Sequence, residues 1–318
     1  MKKLIICIIF LSSIIFTNAQ VNLLPFQTYA TGSYTECISI GDVNNDTLLD
    51  VVIVNGNSGG SPFDYYLVIY HQLENGDLSA PEYFPYPSTD YWGASTMVVG
   101  DINNDELNDI VIGFSDSIMI FQQNPNRIGY FDSTSIFYSG PDVDALLIED
   151  INNDNMDDII VMHFNEIYMR IFYQTDTNVW DIRDYPSPST GYVDLEIEDI
   201  NNDNLKDLLF VSAGGGERGF YVMRQTSEEI FTSAIRYELE ETFLNGLAVQ
   251  DINNDQLPDF LITQGGNSPV DILLYFNDGT SNFFENAYRL PTYDFPEPIS
   301  VADLNCDGSM EIIVAHHV

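Results

Sequence analysis

The chain has 318 residues, with 49 Asp and Glu against 10 Lys and Arg, and a formal net charge of −39. So few basic side chains argue against a phosphate-binding surface and hence against nucleic-acid binding. A hydrophobic fraction of 45% argues against the disorder that so acidic a balance otherwise implies.

The N-terminus reads as a secretory leader. Lys2 and Lys3 give a positive start, Leu4 to Phe16 is an apolar stretch of 13 residues, and Thr17-Asn18-Ala19 places small residues before a cut at Gln20. That stretch is too short to span a membrane. No later apolar run reaches 18 residues, so the sequence predicts an exported chain with its domain over 20–318 and no transmembrane segment after cleavage. With the leader removed, Cys37 and Cys306 remain, and they either pair or stand as two separate thiols.

From residue 41 one pattern recurs six times: GDVNNDTLLDVVIV, GDINNDELNDIVIG, EDINNDNMDDIIVM, EDINNDNLKDLLFV, QDINNDQLPDFLIT and ADLNCDGSMEIIVA. The first aspartates are Asp42, Asp101, Asp150, Asp199, Asp251 and Asp303, spaced by 59, 49, 49, 52 and 52 residues. A period near 50 points to a propeller or a solenoid. Ahead of each loop two apolar residues alternate, as in Ile38/Ile40 and Leu195/Ile197, and alternation of period two means a strand. Behind each loop runs an unbroken apolar stretch such as Val51-Val52-Ile53-Val54, which fits a strand buried on both faces.

A third strand follows in the first five copies, at Tyr66–His71, Ile118–Gln122, Tyr168–Tyr173, Phe220–Arg224 and Asp271–Phe276. Hairpin turns such as Asn75-Gly76 and Asp278-Gly279 lead to a fourth, aromatic-rich strand. Four short antiparallel strands per period is the blade of an all-β propeller. The sixth copy stops early, so Asn22–Thr31 is expected to supply an outer strand from the other end. The count predicts a piece of a seven-bladed ring, with an imperfect six-bladed ring as the alternative.

Within each loop, alternate positions carry oxygen. Counted from the first aspartate, positions 1, 3, 5 and 9 offer side chains and position 7 a backbone carbonyl. The sets are Asp42, Asn44, Asp46, Leu48, Asp50; Asp101, Asn103, Asp105, Leu107, Asp109; and Asp150, Asn152, Asp154, Met156, Asp158. They continue as Asp199, Asn201, Asp203, Leu205, Asp207; Asp251, Asn253, Asp255, Leu257, Asp259; and Asp303, Asn305, Asp307, Ser309, Glu311. All-oxygen donors suit a hard cation, and a cage of several carboxylates with flexible geometry favours calcium over magnesium. The loop differs from an EF-hand, which closes with an acid at position 12 between helices. Asn at position 4 in five copies suits the left-handed backbone of a tight loop.

These loops and their flanks resemble the FG-GAP or VCBS repeat family, the calcium-bearing blades also found in integrin α-subunit propellers. The resemblance covers residues 20–318 and implies up to one calcium per repeat, on one face of the ring. The chain departs from the family in carrying Asn at position 3 and glycine only as Gly308 at positions 4 and 6.

The opposite face is expected to meet a protein or glycan ligand through Gly56–Pro62, Gly214–Gly219, Gly265–Pro269, Asp90-Tyr91-Trp92, Gly191-Tyr192 and Tyr293-Asp294-Phe295. Catalytic patterns are weak. Gly56-Asn57-Ser58-Gly59-Gly60 matches a nucleophile elbow in letters but lies between strands, and His71, His163, His316 and His317 have no zinc-protease spacing. The sequence reads as a non-enzymatic adhesion or ligand-binding scaffold, with a polysaccharide-binding lectin or lyase-like enzyme on the same ring as the alternative.

Overall fold

Each apolar run of the repeat becomes a strand, and each acid-rich loop becomes the connection between two of them. The computed structural model describes residues 7–10 and 28–316, apart from 58, 87–92, 178, 188–189, 214–217, 228, 238, 240–243, 266–269, 280–286, 294 and 305–307. After β1 (Cys7–Phe10), the first blade is β2 (Thr35–Gly41), β3 (Asp50–Asn55), β4 (Tyr66–Tyr70) and β5 (Glu82–Pro85). The second is β6 (Thr96–Gly100), β7 (Asp109–Phe114), β8 (Ser117–Gln123) and β9 (Phe131–Tyr138). The third is β10 (Val143–Glu149), β11 (Asp158–His163), β12 (Tyr168–Asp176) and β13 (Val179–Pro186). The fourth runs through β14 (Tyr192–Glu198), β15 (Asp207–Ser212) and β16 (Gly219–Met223), makes a small hairpin of β17 (Gln225–Ser227) and β18 (Ile230–Phe231), and ends in β19 (Ile235–Tyr237). The fifth is β20 (Leu244–Gln250), β21 (Asp259–Gln264), β22 (Val270–Tyr275) and β23 (Tyr288–Thr292). Last come β24 (Pro296–Ala302) and β25 (Glu311–His316).

Among the described residues five four-stranded antiparallel sheets result, so the expected count of six or seven blades is corrected to five. The sixth repeat instead forms a three-stranded sheet in the order β1-β25-β24. Strand β24 packs beside β2, which closes the circle of inner strands without a further blade among the described residues. Strand β1 falls in the apolar stretch read as a leader and pairs antiparallel with β25, Ile8 opposite Ile313. The outer strand expected from Asn22–Thr31 is not seen: residues 22–27 lie outside the described ones, and 28–31 are not in a strand.

The second strands β3, β7, β11, β15 and β21 are buried along their whole length, as their unbroken apolar runs require. Each presents alternate side chains to the two neighbouring blades. Val52 packs with Ile110 and Ile112 of the next blade, while Val51 and Ile53 pack with Ile313 and Leu304 of the sixth repeat. A fully buried aliphatic side chain of this kind contributes about 1.5–3 kcal/mol. Cys37 lies in one such interface, buried and in no disulfide; Cys306 is outside the described residues.

Small residues stand where blades approach most closely. A methyl group at Gly113 would come within 2.4 Å of Val143 Cγ1 and 2.7 Å of Thr96 Cγ2. Gly113→Ala is therefore expected to destabilise the ring by about 1–3 kcal/mol through overpacking. The shift of the urea midpoint checks this, and an unchanged midpoint would show that the two blades can move apart freely.

Candidate functional site

The repeated loop has one geometry in the five blades where it is fully described. Its first aspartate caps the turn. Asp101 Oδ1 accepts the Asp105 N–H at 3.0 Å and Oδ2 the Glu106 N–H at 2.7 Å. Asp42, Asp150, Asp199 and Asp251 make the same pair of bonds. At position 5, Asp46, Asp105, Asp154, Asp203 and Asp255 each accept the N–H of position 7, at 2.9 or 3.0 Å. That bond holds Leu48, Leu107, Met156, Leu205 and Leu257 in place, the residues whose carbonyls were read as ligands. At position 3, Asn44, Asn152, Asn201 and Asn253 accept the position-5 amide, whereas the buried Asn103 Oδ1 has no partner.

These bonds hold two left-handed residues per loop. Position 4 is left-handed as expected, at Asn45, Asn104, Asn153, Asn202 and Asn254, with φ of 57°, 58°, 60°, 59° and 62°. Position 6 is left-handed too, of which Thr47, Glu106 and Gln256 gave no sign: Thr47, Glu106, Asn155, Asn204 and Gln256 have φ of 73°, 66°, 67°, 65° and 72°. A side chain such as Thr strains in that region by about 1–2 kcal/mol. The two hydrogen bonds to the first aspartate offset that cost. Loop six has Gly308 there, whose amide reaches Asp303 Oδ2 at 2.8 Å. Asn305 and Asp307 lie outside the described residues.

Position 9 opens the second strand and is fully buried in Asp50, Asp109, Asp158, Asp207 and Asp259, and nearly so in Glu311. One oxygen of each aspartate accepts a backbone N–H from the residue after the third strand's apolar core: Gln72, Gln123, Gln174, Gln225 and Asn277, at 2.8 or 2.9 Å. The other oxygen differs between blades. In Asp50, Asp259 and Glu311 it accepts the amide of position 2. In Asp109, Asp158 and Asp207 it has no hydrogen-bond partner. Burial, followed by the acids at positions 5 and 1, pushes Asp109 and Asp158 up to about 7. Burial likewise raises Asp259 to about 7 and Asp207 to about 6.

Neighbouring loops touch. Asn104 Nδ2 donates to the Asn155 carbonyl at 3.1 Å, and Asn108 Nδ2 to the Asp42 carbonyl at 2.9 Å. Among the described residues no three His, Cys, Asp or Glu side chains converge on one point as a finished metal cage. At position 1 both carboxylate oxygens accept loop amides, and at position 5 one oxygen does. The donor chemistry still fits a hard cation, because the position-9 acids Asp109 and Asp158 each hold a buried oxygen that accepts no hydrogen bond.

The sequence missed a second acidic locus. A cavity of about 300 Å³ runs between the inner strands, lined by Glu36, Asp144, Asp194 and Glu196 with no basic side chain. Asp194 accepts amides from Leu195 at 2.9 Å and from Leu247 of the next blade at 2.7 Å. Burial outweighs these bonds and pushes Asp194 up to about 7; burial, then Asp194 and Glu198, raise Glu196 well above the carboxylate range.

Of the opposite face, Gly56–Pro62 is described except for Ser58, with Phe63 just beyond it stacked on Tyr83 at 4.5 Å. Asp90-Tyr91-Trp92, 214–217, 266–269 and Asp294 lie outside the described residues, as do Ser58 and His317. Gly191 is buried before β14, while Tyr293 and Phe295 are exposed. His163 is buried against Ser139 and the Tyr168 ring, and His316 against Thr292 and Tyr293, so both are packed residues.

Antiparallel blades around an axis, each with an acid-capped loop between its first two strands, define a repeat β-propeller. The FG-GAP-like repeat model matches residues 42–112 and 251–314, so these two stretches of the propeller are FG-GAP-like repeats. No curated protein matches it. Among solved structures it is similar to an Agrocybe aegerita lectin that recognises non-reducing terminal N-acetylglucosamine. The two share 16% identity at a TM-score of 0.58, over 98% of this chain and 84% of that one. It is also similar to BBS1N in complex with ARL6DN, at 8% identity and a TM-score of 0.52 over 90% of this chain and 94% of that one. At these identities the likeness is one of fold.

The Asp194 carboxyl gives a pH prediction. Its unfolded value is the ordinary 3.8 and its folded value about 7, so between the two the folded chain keeps a proton that the unfolded chain has released. Stability from this group is complete below pH 4 and falls as the pH rises to 7. Asp194→Asn is expected to gain melting temperature on the wild type as the pH goes from 4 to 8. A constant difference in calorimetry would refute this.

Proposed function

We propose that this chain is a secreted, calcium-loaded propeller acting as a non-enzymatic adhesion or ligand-binding scaffold. One observation carries the calcium reading: the buried position-9 carboxylates of Asp109 and Asp158 each have an oxygen that accepts no hydrogen bond. Burying a charged oxygen unmatched is costly, and a cation removes the cost. In each loop the ion would be held by the acids at positions 1, 5 and 9, the Asn at position 3 and the carbonyl at position 7. Its role is structural: it neutralises mutual repulsion and ties loop to strand. Export is supported by the leader-like segment up to Ala19, and the secreted protein is expected to begin at Gln20 by intact-mass measurement.

The ligand face is the one opposite the ion loops, where the second-to-third-strand connections and the blade-to-blade connections gather. A second reading, glycan binding, is favoured by the lectin of similar fold and by exposed Tyr293 and Phe295 on that face. A glycan array that includes terminal N-acetylglucosamine separates the two readings. Turnover of acidic polysaccharides, abolished by substitutions on that face alone, would make the chain an enzyme.

Calcium removal tests the core of the proposal. Each site held at ten times its dissociation constant adds about 1.4 kcal/mol by linkage. Several sites together are expected to lower the melting temperature in chelator by about 10 °C or more relative to millimolar calcium. Identical melting curves would remove calcium from the account.

A further inference from the structure

The loops are not equivalent, and the difference lies in one position of the third strand. The residue just before the Gln or Asn that bonds the position-9 acid is His71, Gln122, Tyr173, Arg224 or Phe276 in blades one to five. In two of these blades it places a basic side chain on the acid's second oxygen. His71 Nδ1 lies 3.0 Å from Asp50 Oδ2 and 3.1 Å from Asn44 Nδ2, wedged between positions 9 and 3 of loop one. Arg224 Nη1 lies 3.9 Å from Asp207 Oδ2, an oxygen that receives no hydrogen bond. In the other three blades no base stands there. The Tyr173 hydroxyl bonds Tyr185 at 2.8 Å, and the Phe276 ring packs on Tyr288.

We infer that His71 and Arg224 are built-in occupants of loops one and four, so that these two loops take a divalent cation weakly while loops two and three, whose Asp109 and Asp158 each keep an oxygen with no hydrogen bond, take it tightly. The inference rests on the calcium reading above. A guanidinium carries a fixed positive charge and opposes a divalent ion beside the same carboxylate. An imidazole wedged between two ligand side chains fills the space where the ion would sit. The residue before the capping Gln or Asn is thus a specificity-determining position, and the ring carries a graded set of sites.

Native mass spectrometry of the full chain across a calcium-buffered series reads the number of ions held at each free concentration. The wild type is expected to fill in two stages, the later one at least tenfold higher in calcium. Arg224→Gln and His71→Gln should each move one ion from the later stage to the earlier. The reverse change, Gln122→Arg, should move one ion the other way, which guards against variants that gain ions only by loosening the fold. Single-stage filling with unchanged counts in all three variants would overturn the inference and leave the calcium reading standing. Loss of an ion on His71→Gln would also overturn it, since the imidazole would then be a ligand. No retained ion in any form would remove both readings.

Discussion

A fully buried carboxylate at the head of every second strand is the constraint on which this ring depends. It cannot reach water, so its oxygens must be met from within. One oxygen takes the amide that ends the third strand, which fixes the loop to its own sheet. Nearby, Gln225 Nε2 reaches the Ile151 carbonyl of the preceding loop at 2.9 Å, and Gln72 reaches Leu304 across the closure. The acid-rich rim is therefore tied from loop to loop by hydrogen bonds at several joints of the ring.

That rim accounts for the tolerance of strain in the loops. Thr47 and Glu106 sit in a backbone region that side chains avoid, yet each has its amide held by a carboxylate oxygen. The same bonds turn the first aspartate inward and concentrate negative charge at the loop. On the proposed calcium reading, stability and cation affinity come from this one arrangement.

The second acidic locus follows from the geometry of closure. Inner strands converge on an axis, and their channel-facing residues have little room and little water. Asp194 bridges two blades there through the Leu247 amide, so the channel acids also help to hold adjacent blades in register.

Much of the fold was legible in the residues. Apolar alternation before Asp101 and the unbroken run after Asp109 required a half-exposed strand followed by a buried one, and the sheet order β6-β7-β8-β9 follows from short connections. The αL position at Asn104 was also legible, because Asn tolerates that conformation. Glu106 at position 6 gave no such sign, since nothing in its chemistry favours a left-handed backbone. Local patterning therefore determined the strands, the loop and its oxygen donors, all of which depend on neighbours within a dozen residues. Only the tertiary structure decided the blade count, the closure of β24 on β2, the convergence of Asp194 and Glu196 on the axis, and the approach of His71 and Arg224 to Asp50 and Asp207. Each of these depends on how sheets stack and how far side chains reach, distances that spacing along the chain does not encode.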